Sequence, residues 1–326
     1  MNSLTRRKFI KLSAAPVLLS WTPLSAQTAF PNRPIEVVIS FPPGGPTDTA
    51  PRILIEYLRP LLKGASLVPL NKAGAGGGIA AEYVNRSTPD GHTILATSNP
   101  ALSVKSAIEK NLSYKIEDFA AIGMYATDFG ILAAQRDLGI KTIDELIARA
   151  KQSPEGLNYA SAGMGTVTHI STELFKTLAG INILHVPHRG SGPAAQAILG
   201  GHVKLLSSAY SAAAPLIESG HIVPLITTAP KRLAELPDVP TVAERGMPEV
   251  ELNIWMGLFV PTETPRTIVT TLTDALAEAA KDPAFNALLT RARLTPRYGD
   301  PAATIALLQK ERTVVSQLAQ KTKLGE

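Results

Sequence analysis

The 326-residue sequence contains no cysteine, which excludes disulfides, thiolate metal sites and a cysteine nucleophile and fits any redox compartment. Histidine is scarce, with six residues at positions 92, 169, 185, 188, 202 and 221. None lies in H-E-x-x-H or a comparable carboxylate spacing, so no metal is expected, not even where His185 and His188 flank Val186-Pro187. No serine stands in a G-x-S-x-G elbow. The glycine run Gly74-Ala75-Gly76-Gly77-Gly78 places Ile79 where a dinucleotide fingerprint needs its third glycine, and no ribose-binding acid follows near Thr93 to Ser98. Aromatic residues make up only 5% of the chain, and no Lys/Arg-aromatic stripe is present, so a nucleic-acid partner is not expected. Long apolar runs are missing too: Leu12 to Trp21 falls far short of the ~20 residues that span a bilayer, and no later segment does better.

The formal net charge of +5 is concentrated at the start of the chain. Arg6, Arg7, Lys8 and Lys11 lie in a segment without acidic residues, and its removal leaves about +1. Thr5-Arg6-Arg7-Lys8-Phe9-Ile10-Lys11, the apolar run after it and Pro23-Leu24-Ser25-Ala26 have the layout of an export signal over residues 1–26. The paired arginines look like a twin-arginine signal, with a Sec signal as the milder reading.

What the chain does have is one local design repeated. Ile35, Val37, Val38 and Ile39 read as a buried parallel strand that stops at Phe41-Pro42-Pro43-Gly44-Gly45-Pro46, before an amphipathic helix. The same order returns at Ser66–Leu70 with the Gly74–Gly78 run, at Leu157–Ser161 with Ala162-Gly163-Met164-Gly165-Thr166, and at Ile181–Val186 with His188-Arg189-Gly190-Ser191-Gly192. Thr93–Thr97 and Val203–Ser207 add strands that end in polar loops at Ser98 and at Ser208-Ala209-Tyr210. Ala121–Tyr125 and Gly130–Ala134 read as two short strands separated by Thr127-Asp128-Phe129. Val250–Phe259 reads as a strand crossing between lobes, and the remainder as three helices opened by Thr264-Pro265, Asp282-Pro283 and Asp300-Pro301. With 45% apolar residues, the length fits a two-domain α/β protein. The expected division is lobe 1 over 27–127, lobe 2 over 128–253 and a return to lobe 1 over 254–326, with crossings near Thr127 and Trp255.

Glycine-, serine- and threonine-rich loops that open helices at strand ends can converge on one crevice, where helix N-termini and hydroxyls hold an anion without a clamp of arginines. The candidate ligand contacts are Gly45, Pro46, Thr47, Asp48, Gly74, Ala75, Gly76, Gly77, Gly78, Ser98, Ser161, Gly165, Thr166, His169, His188, Ser208 and Tyr210. Ser161 and His169 do not read as nucleophile and base. Asp48 has two readings, a ligand contact or a cap on the helix that follows. No catalytic residue and no cofactor is expected.

Phe41-Pro42-Pro43-Gly44-Gly45-Pro46-Thr47-Asp48, Lys72-Ala73-Gly74-Ala75-Gly76-Gly77, Pro89-Asp90-Gly91-His92-Thr93, His185 to Pro193, Asp238-Val239-Pro240-Thr241 and Trp255 to Pro261 together resemble the extracytoplasmic solute receptors of tripartite tricarboxylate transporters, the Bug family. The resemblance runs in order through the chain after residue 26. It implies a two-lobed periplasmic binding protein fold, each lobe a sheet flanked by helices, with a hinge between lobes. It further implies a monomeric, exported, soluble receptor that closes on a small mono- or dicarboxylate and delivers it to membrane permease subunits. Backbone N–H groups, hydroxyls and waters of Gly45–Asp48 and Gly74–Gly78 would then hold a carboxylate while the other lobe covers the distal end. The chain departs from the family where His188 replaces a common tyrosine and where Ser207-Ser208-Ala209-Tyr210 replaces a loop that often carries Asp or Asn. The rival readings are a receptor that signals to a membrane sensor and an α/β enzyme acting on a carboxylate.

Overall fold

The computed structural model describes residues 30–109, 111–152 and 156–322, so the export signal expected over 1–26 lies outside the described residues. β1 (Ile35–Ile39) feeds α1 (Pro46–Leu61), and β2 (Leu67–Asn71) feeds α2 (Gly78–Asn85) through a 3-10 turn at Ala75–Gly77. β3 (Thr93–Ser98) runs into a π-helical turn, Pro100–Val104, and the short α3 (Lys105–Ile108). β4 (Phe119–Gln135) precedes α4 (Ile143–Gln152), and β5 (Asn158–Ser161) feeds α5 (Val167–Ala179). β6 (Leu184–Pro187) feeds α6 (Ser191–Leu199), and β7 (Leu205–Ala209) feeds α7 (Tyr210–Glu218). β8 (Ile222–Thr227) and β9 (Asn253–Pro261) follow, then α8 (Arg266–Lys281), α9 (Pro283–Arg291), β10 (Thr295–Gly299) and α10 (Pro301–Thr322).

The strands run in the order β2-β1-β3-β9-β4-β7-β5-β6, with β8 and β10 also pairing to β4. Parallel pairing of β1 with β2 and β3, and of β5 with β6 and β7, points the loops after these strands the same way within each group. That is the arrangement in which ligands of α/β sheets sit at strand C-terminal ends. One core gathers Val38, Leu95, Trp255, Phe259 and Leu308, and another Leu132, Tyr159, Phe175, Leu205 and Leu225.

The two short strands expected on either side of Thr127-Asp128-Phe129 are one continuous strand of 17 residues, β4. Its first part pairs with β9 and β10, its last part with β7 and β8. The polar tripeptide does not break it, because Asp128 is buried and its carboxylate accepts the N–H groups of Phe129 (2.7 Å) and Ser211 (3.3 Å). The second of these bonds lies in the first turn of α7, so the carboxylate also faces that helix N-terminus. Thr127 pairs directly with Trp255; the two expected crossings are neighbouring strands of a single ribbon. The C-terminal region also differs from an all-helical expectation, since β10 pairs antiparallel to β4. Its Pro296 and Arg297 mask a strand pattern, and Pro is tolerated there because β10 lies at the edge. Around it two of the three helices start as expected: the Asp282 side chain accepts the N–H groups of Ala284 and Phe285 at the start of α9, and the Asp300 side chain accepts the Ala303 N–H at the start of α10, whereas α8 begins after Pro265 without a side-chain cap from Thr264.

Glu311 of α10 reaches the ribbon. It accepts hydrogen bonds from Asn99 Nδ2 (2.7 Å), Ser103 Oγ (2.8 Å) and Trp255 Nε1 (2.8 Å). Asn99 in turn donates to Asn253 O and accepts from Trp255 N, both at 3.0 Å, which ties the loop after β3 to β9. Burial pushes the carboxyls of Glu311 and Asp128 up to about 7 against the hydrogen bonds that favour their ionised forms. The folded chain therefore holds protons that the unfolded chain has released, and their contribution to stability falls as pH rises from the ordinary carboxylate range through about 7. Glu311→Gln presents an amide N–H₂ where three donors converge. It is expected to lower the melting temperature at every pH while partly flattening its decline between the ordinary carboxylate range and about pH 7, measured by thermal unfolding across that range.

Candidate functional site

The helix N-termini of α1, α5 and α6 meet at a narrow cavity of about 30 Å³. Gly45 and Gly190 occupy the N-cap positions of α1 and α6, and neither helix has a side-chain cap. Uncapped first turns leave backbone N–H groups and the positive dipole end open to whatever occupies the adjacent space. Pro46, Thr47, Ser98, Thr166, Thr168 and Ser191 line the cavity beside the apolar Phe41, Pro42 and Ile254, and no described lining residue is charged. Thr47 Oγ1 donates to Ser98 Oγ at 3.3 Å, and both residues are almost fully buried.

The two sides of this slot touch through backbone. A Cβ placed on Gly192 would lie 2.7 Å from Pro43 O and 3.3 Å from Gly44 Cα, and one placed on Gly45 would lie 3.6 Å from Ser191 Cβ. Position 192 therefore needs glycine for the close approach of the two loops, and position 45, at φ −118°, does not need it for its conformation.

Asp48 neither caps α1 nor lines the cavity. Its Oδ1 accepts from Arg52 Nε (2.9 Å) and from Asn71 Nδ2 (2.7 Å), and the same Asn71 amide donates to Phe41 O at 2.8 Å. The carboxylate thus fastens the Phe41–Gly45 loop to the end of β2, a third role beside the two expected from sequence.

Ser161 is fully buried, and its Oγ bonds His185 Nε2 at 2.7 Å. His185 stacks between Tyr159 and His169, with ring centroids 4.8 and 4.4 Å apart. Burial and the adjacent His169 push the His185 imidazole down to about 4, and burial also lowers His169. His169 Nδ1 accepts the Gly165 N–H (3.3 Å), while Thr166 Oγ1 donates to Gly163 O (2.7 Å). Ser161, Gly165 and His169 therefore lie behind the loop and fix its shape; Thr166 alone of that group lines the slot.

A second, roomier cavity of about 350 Å³ adjoins the slot and shares Phe41 and Ala162 with it as walls. Gly74, Ala75, Gly76 and His188 line it together with Lys105, Glu109, Met164 and Arg189. Gly74, Ala75, Gly76 and Gly77 have consecutive positive φ values of 135°, 48°, 58° and 93°, a concave run of backbone that glycine favours. Gly77 and Gly78 are packed beneath, against Ser40 and Lys105. Ser208 and Tyr210 are not brought to either cavity. Ser208 is buried in β7, and Tyr210 packs in a third core cluster with Ile131, Ala194 and Leu206, its hydroxyl pushed up to about 12 by burial.

Sequence reasoning missed Ser191, Phe41, Lys105 and Arg189. Ser191 was legible, since Gly190-Ser191 opens α6 as Gly45-Pro46 opens α1. Lys105 was not, because the π-helical turn after Ser98 carries it back over α2.

A family model described as the tripartite tricarboxylate transporter family receptor matches residues 52–324. Among solved structures, that of R. palustris Rpa4515 with adipate is 30% identical, with a TM-score of 0.86, covering 91% of this chain and 99% of its own. The periplasmic binding protein BugD is 31% identical with a TM-score of 0.85, over 91% and 99%. MatC (Rpa3494) from Rhodopseudomonas palustris with bound malate is 30% identical with a TM-score of 0.83, over 89% and 99%. The fold is thus α/β and that of the two-lobed periplasmic binding proteins.

Removing the buried Asp48 carboxylate takes the shared acceptor from half-buried Asn71 and from Arg52, whose guanidinium is open to solvent. Asp48→Ala is expected to cost roughly 1–3 kcal/mol of unfolding free energy, read from urea denaturation of the unliganded protein.

Proposed function

We propose that this chain, which belongs to the tripartite tricarboxylate transporter receptor family, is an exported receptor that captures a small organic carboxylate and passes it to the membrane subunits of such a transporter. The observation that carries this reading is the convergence of three helix N-termini on a slot without charged side chains. Such a slot stabilises a carboxylate through N–H groups, hydroxyls and dipoles already in place, and no side chain has to give up a counterion first. The candidate contacts are Gly45, Pro46, Thr47, Ser98, Thr166 and Ser191. A relative in this family is described with adipate and another with malate, both dicarboxylates, which supports the substrate class.

Capture works by closure. The lobes are 27–127 with 254–326, and 128–253, and the ribbon of β4 and β9 at Thr127 and Trp255 bends between them. Ligand binding favours the form in which Gly44 and Gly192 are pressed together, and so shifts the equilibrium toward it. Asn99 couples the two events, because it follows the slot residue Ser98 and bonds the backbone of the ribbon at Asn253 and Trp255. Among the described residues no helix is long and apolar enough to cross a membrane, which fits a receptor released into the periplasm after export. The ligand leaves chemically unchanged.

With a panel of mono- and dicarboxylates, at least one is expected to raise the melting temperature, with stabilisation growing as RT ln(1 + [L]/Kd), about 2.7 kcal/mol at a hundredfold excess over Kd. Trp255 emission should shift alongside, since its indole N–H lies in the ribbon network. Stabilisation by an uncharged sugar or a dinucleotide, with none by any carboxylate, refutes the reading, and recovery of converted ligand favours an enzyme. Gly45→Leu tests the slot: the backbone at position 45 accepts a side chain, but leucine fills the space facing Ser191. The variant should unfold close to the parent temperature and lose the carboxylate-induced shift; a retained shift would place the ligand elsewhere.

A further inference from the structure

We propose that the larger cavity beside the slot is a second anion site built around Lys105 and Arg189, so that the receptor's ligand is a dicarboxylate spanning both chambers. This deepens the reading given above and rests on it. The two spaces share the walls Phe41 and Ala162 but differ in chemistry. The slot is lined by uncharged groups, whereas the larger chamber presents two permanent cations against one carboxylate, Glu109.

Lys105 is held for this task. It is only 8% exposed, and a Cβ placed on Gly78 would come within 2.8 Å of its Cε. The aliphatic stem therefore lies across the start of α2, directly over Gly78. Its ammonium group donates to Glu109 Oε1, and Glu109 is half-exposed at the rim. A carboxylate entering the chamber can take the ammonium from Glu109, whose own charge then moves to solvent at little cost. Arg189 stands exposed on the opposite wall. His188 Nδ1 donates to Val186 O at 3.0 Å, which fixes the ring beside Arg189.

The chamber takes its walls from both halves of the chain, Gly74–Gly76 with Lys105 on one side and Gly163 to Met164 with His188 to Arg189 on the other. Their backbones approach closely: a Cβ on Gly76 would lie 3.5 Å from Met164 O. A ligand anion between Lys105 and Arg189 would bridge the two walls and favour the closed form. The Phe41 ring lies within 3.4 Å of a Cβ built on Gly77 and 3.8 Å of one built on Gly190. It is the partition that sets how far apart the two carboxylates of the ligand must be.

The experiment is calorimetric titration of the full chain with straight-chain α,ω-dicarboxylates of increasing length, the monocarboxylates of matching length and the corresponding ω-amino carboxylates. Parent protein should prefer one dicarboxylate over its matching monocarboxylate by about tenfold or more, the scale of one charge-assisted hydrogen bond. Lys105→Met, which keeps an apolar stem over Gly78, and Arg189→Gln, at an exposed position, should each lower that ratio, with thermal unfolding checking that both variants fold. Equal binding of mono- and dicarboxylates by the parent, or a ratio unchanged in both variants, overturns the second site and leaves the carboxylate receptor standing. Preference for the ω-amino carboxylate also overturns it, since Glu109 would then be the contact. Binding of no carboxylate at all overturns the receptor reading itself.

Discussion

Backbone N–H groups at a helix start have to find partners, and in this protein two of the helix starts that face the slot are left without a side-chain cap. Much of the surrounding structure follows from that. Proline at the first position of α1 removes one donor outright, and Asp48 is turned away from the helix end to hold Asn71 and, through it, Phe41 O. The loop is therefore rigid without consuming the N–H groups it presents. α5 solves the same problem differently, with Thr166 accepting the His169 N–H while still lining the slot.

A second constraint is the ribbon of β4 and β9. A strand of 17 residues passing through both sheets cannot shift on one side without bending at its middle, and that middle carries buried Asp128 beside Thr127 and Trp255. Polar groups there are satisfied by long-range partners: Ser211 lies 83 positions from Asp128, and Glu311 lies 212 from Asn99. Such bonds form only when the whole chain is assembled, and burial among them raises the carboxyls of Asp128 and Glu311, which ties the middle of the ribbon to pH.

The repeated strand–turn–helix design was legible because its signals are local. A β-branched run, a glycine turn and a helical apolar period each follow from residues within reach of one another, and the helix starts at Thr166 and Asp282 appear where the sequence places them. β4 and β10 were not legible in the same way. Thr127-Asp128-Phe129 has turn-like composition and becomes strand because β9 pairs with it and Asp128 finds donors in Phe129 and in Ser211 of a distant helix, and β10 is a strand because β4 offers it an edge.

The same division applies to the site. The sequence by itself determined that glycine- and hydroxyl-bearing loops open helices, and it singled out as ligand contacts Gly45, Thr47, Ser98 and Thr166, which the fold sets around the slot, and Gly74 to Gly76 with His188, which it sets around the neighbouring chamber. Tertiary structure decided which way each side chain faces. It turned Asp48 toward Arg52, put Ser161 and His169 behind their loop, left Tyr210 in a core, and brought Lys105 to a cavity wall. The physical reason is range: backbone geometry is set by neighbours in sequence, whereas the direction of a buried polar side chain is set by the partner that satisfies it, and that partner comes from elsewhere in the chain.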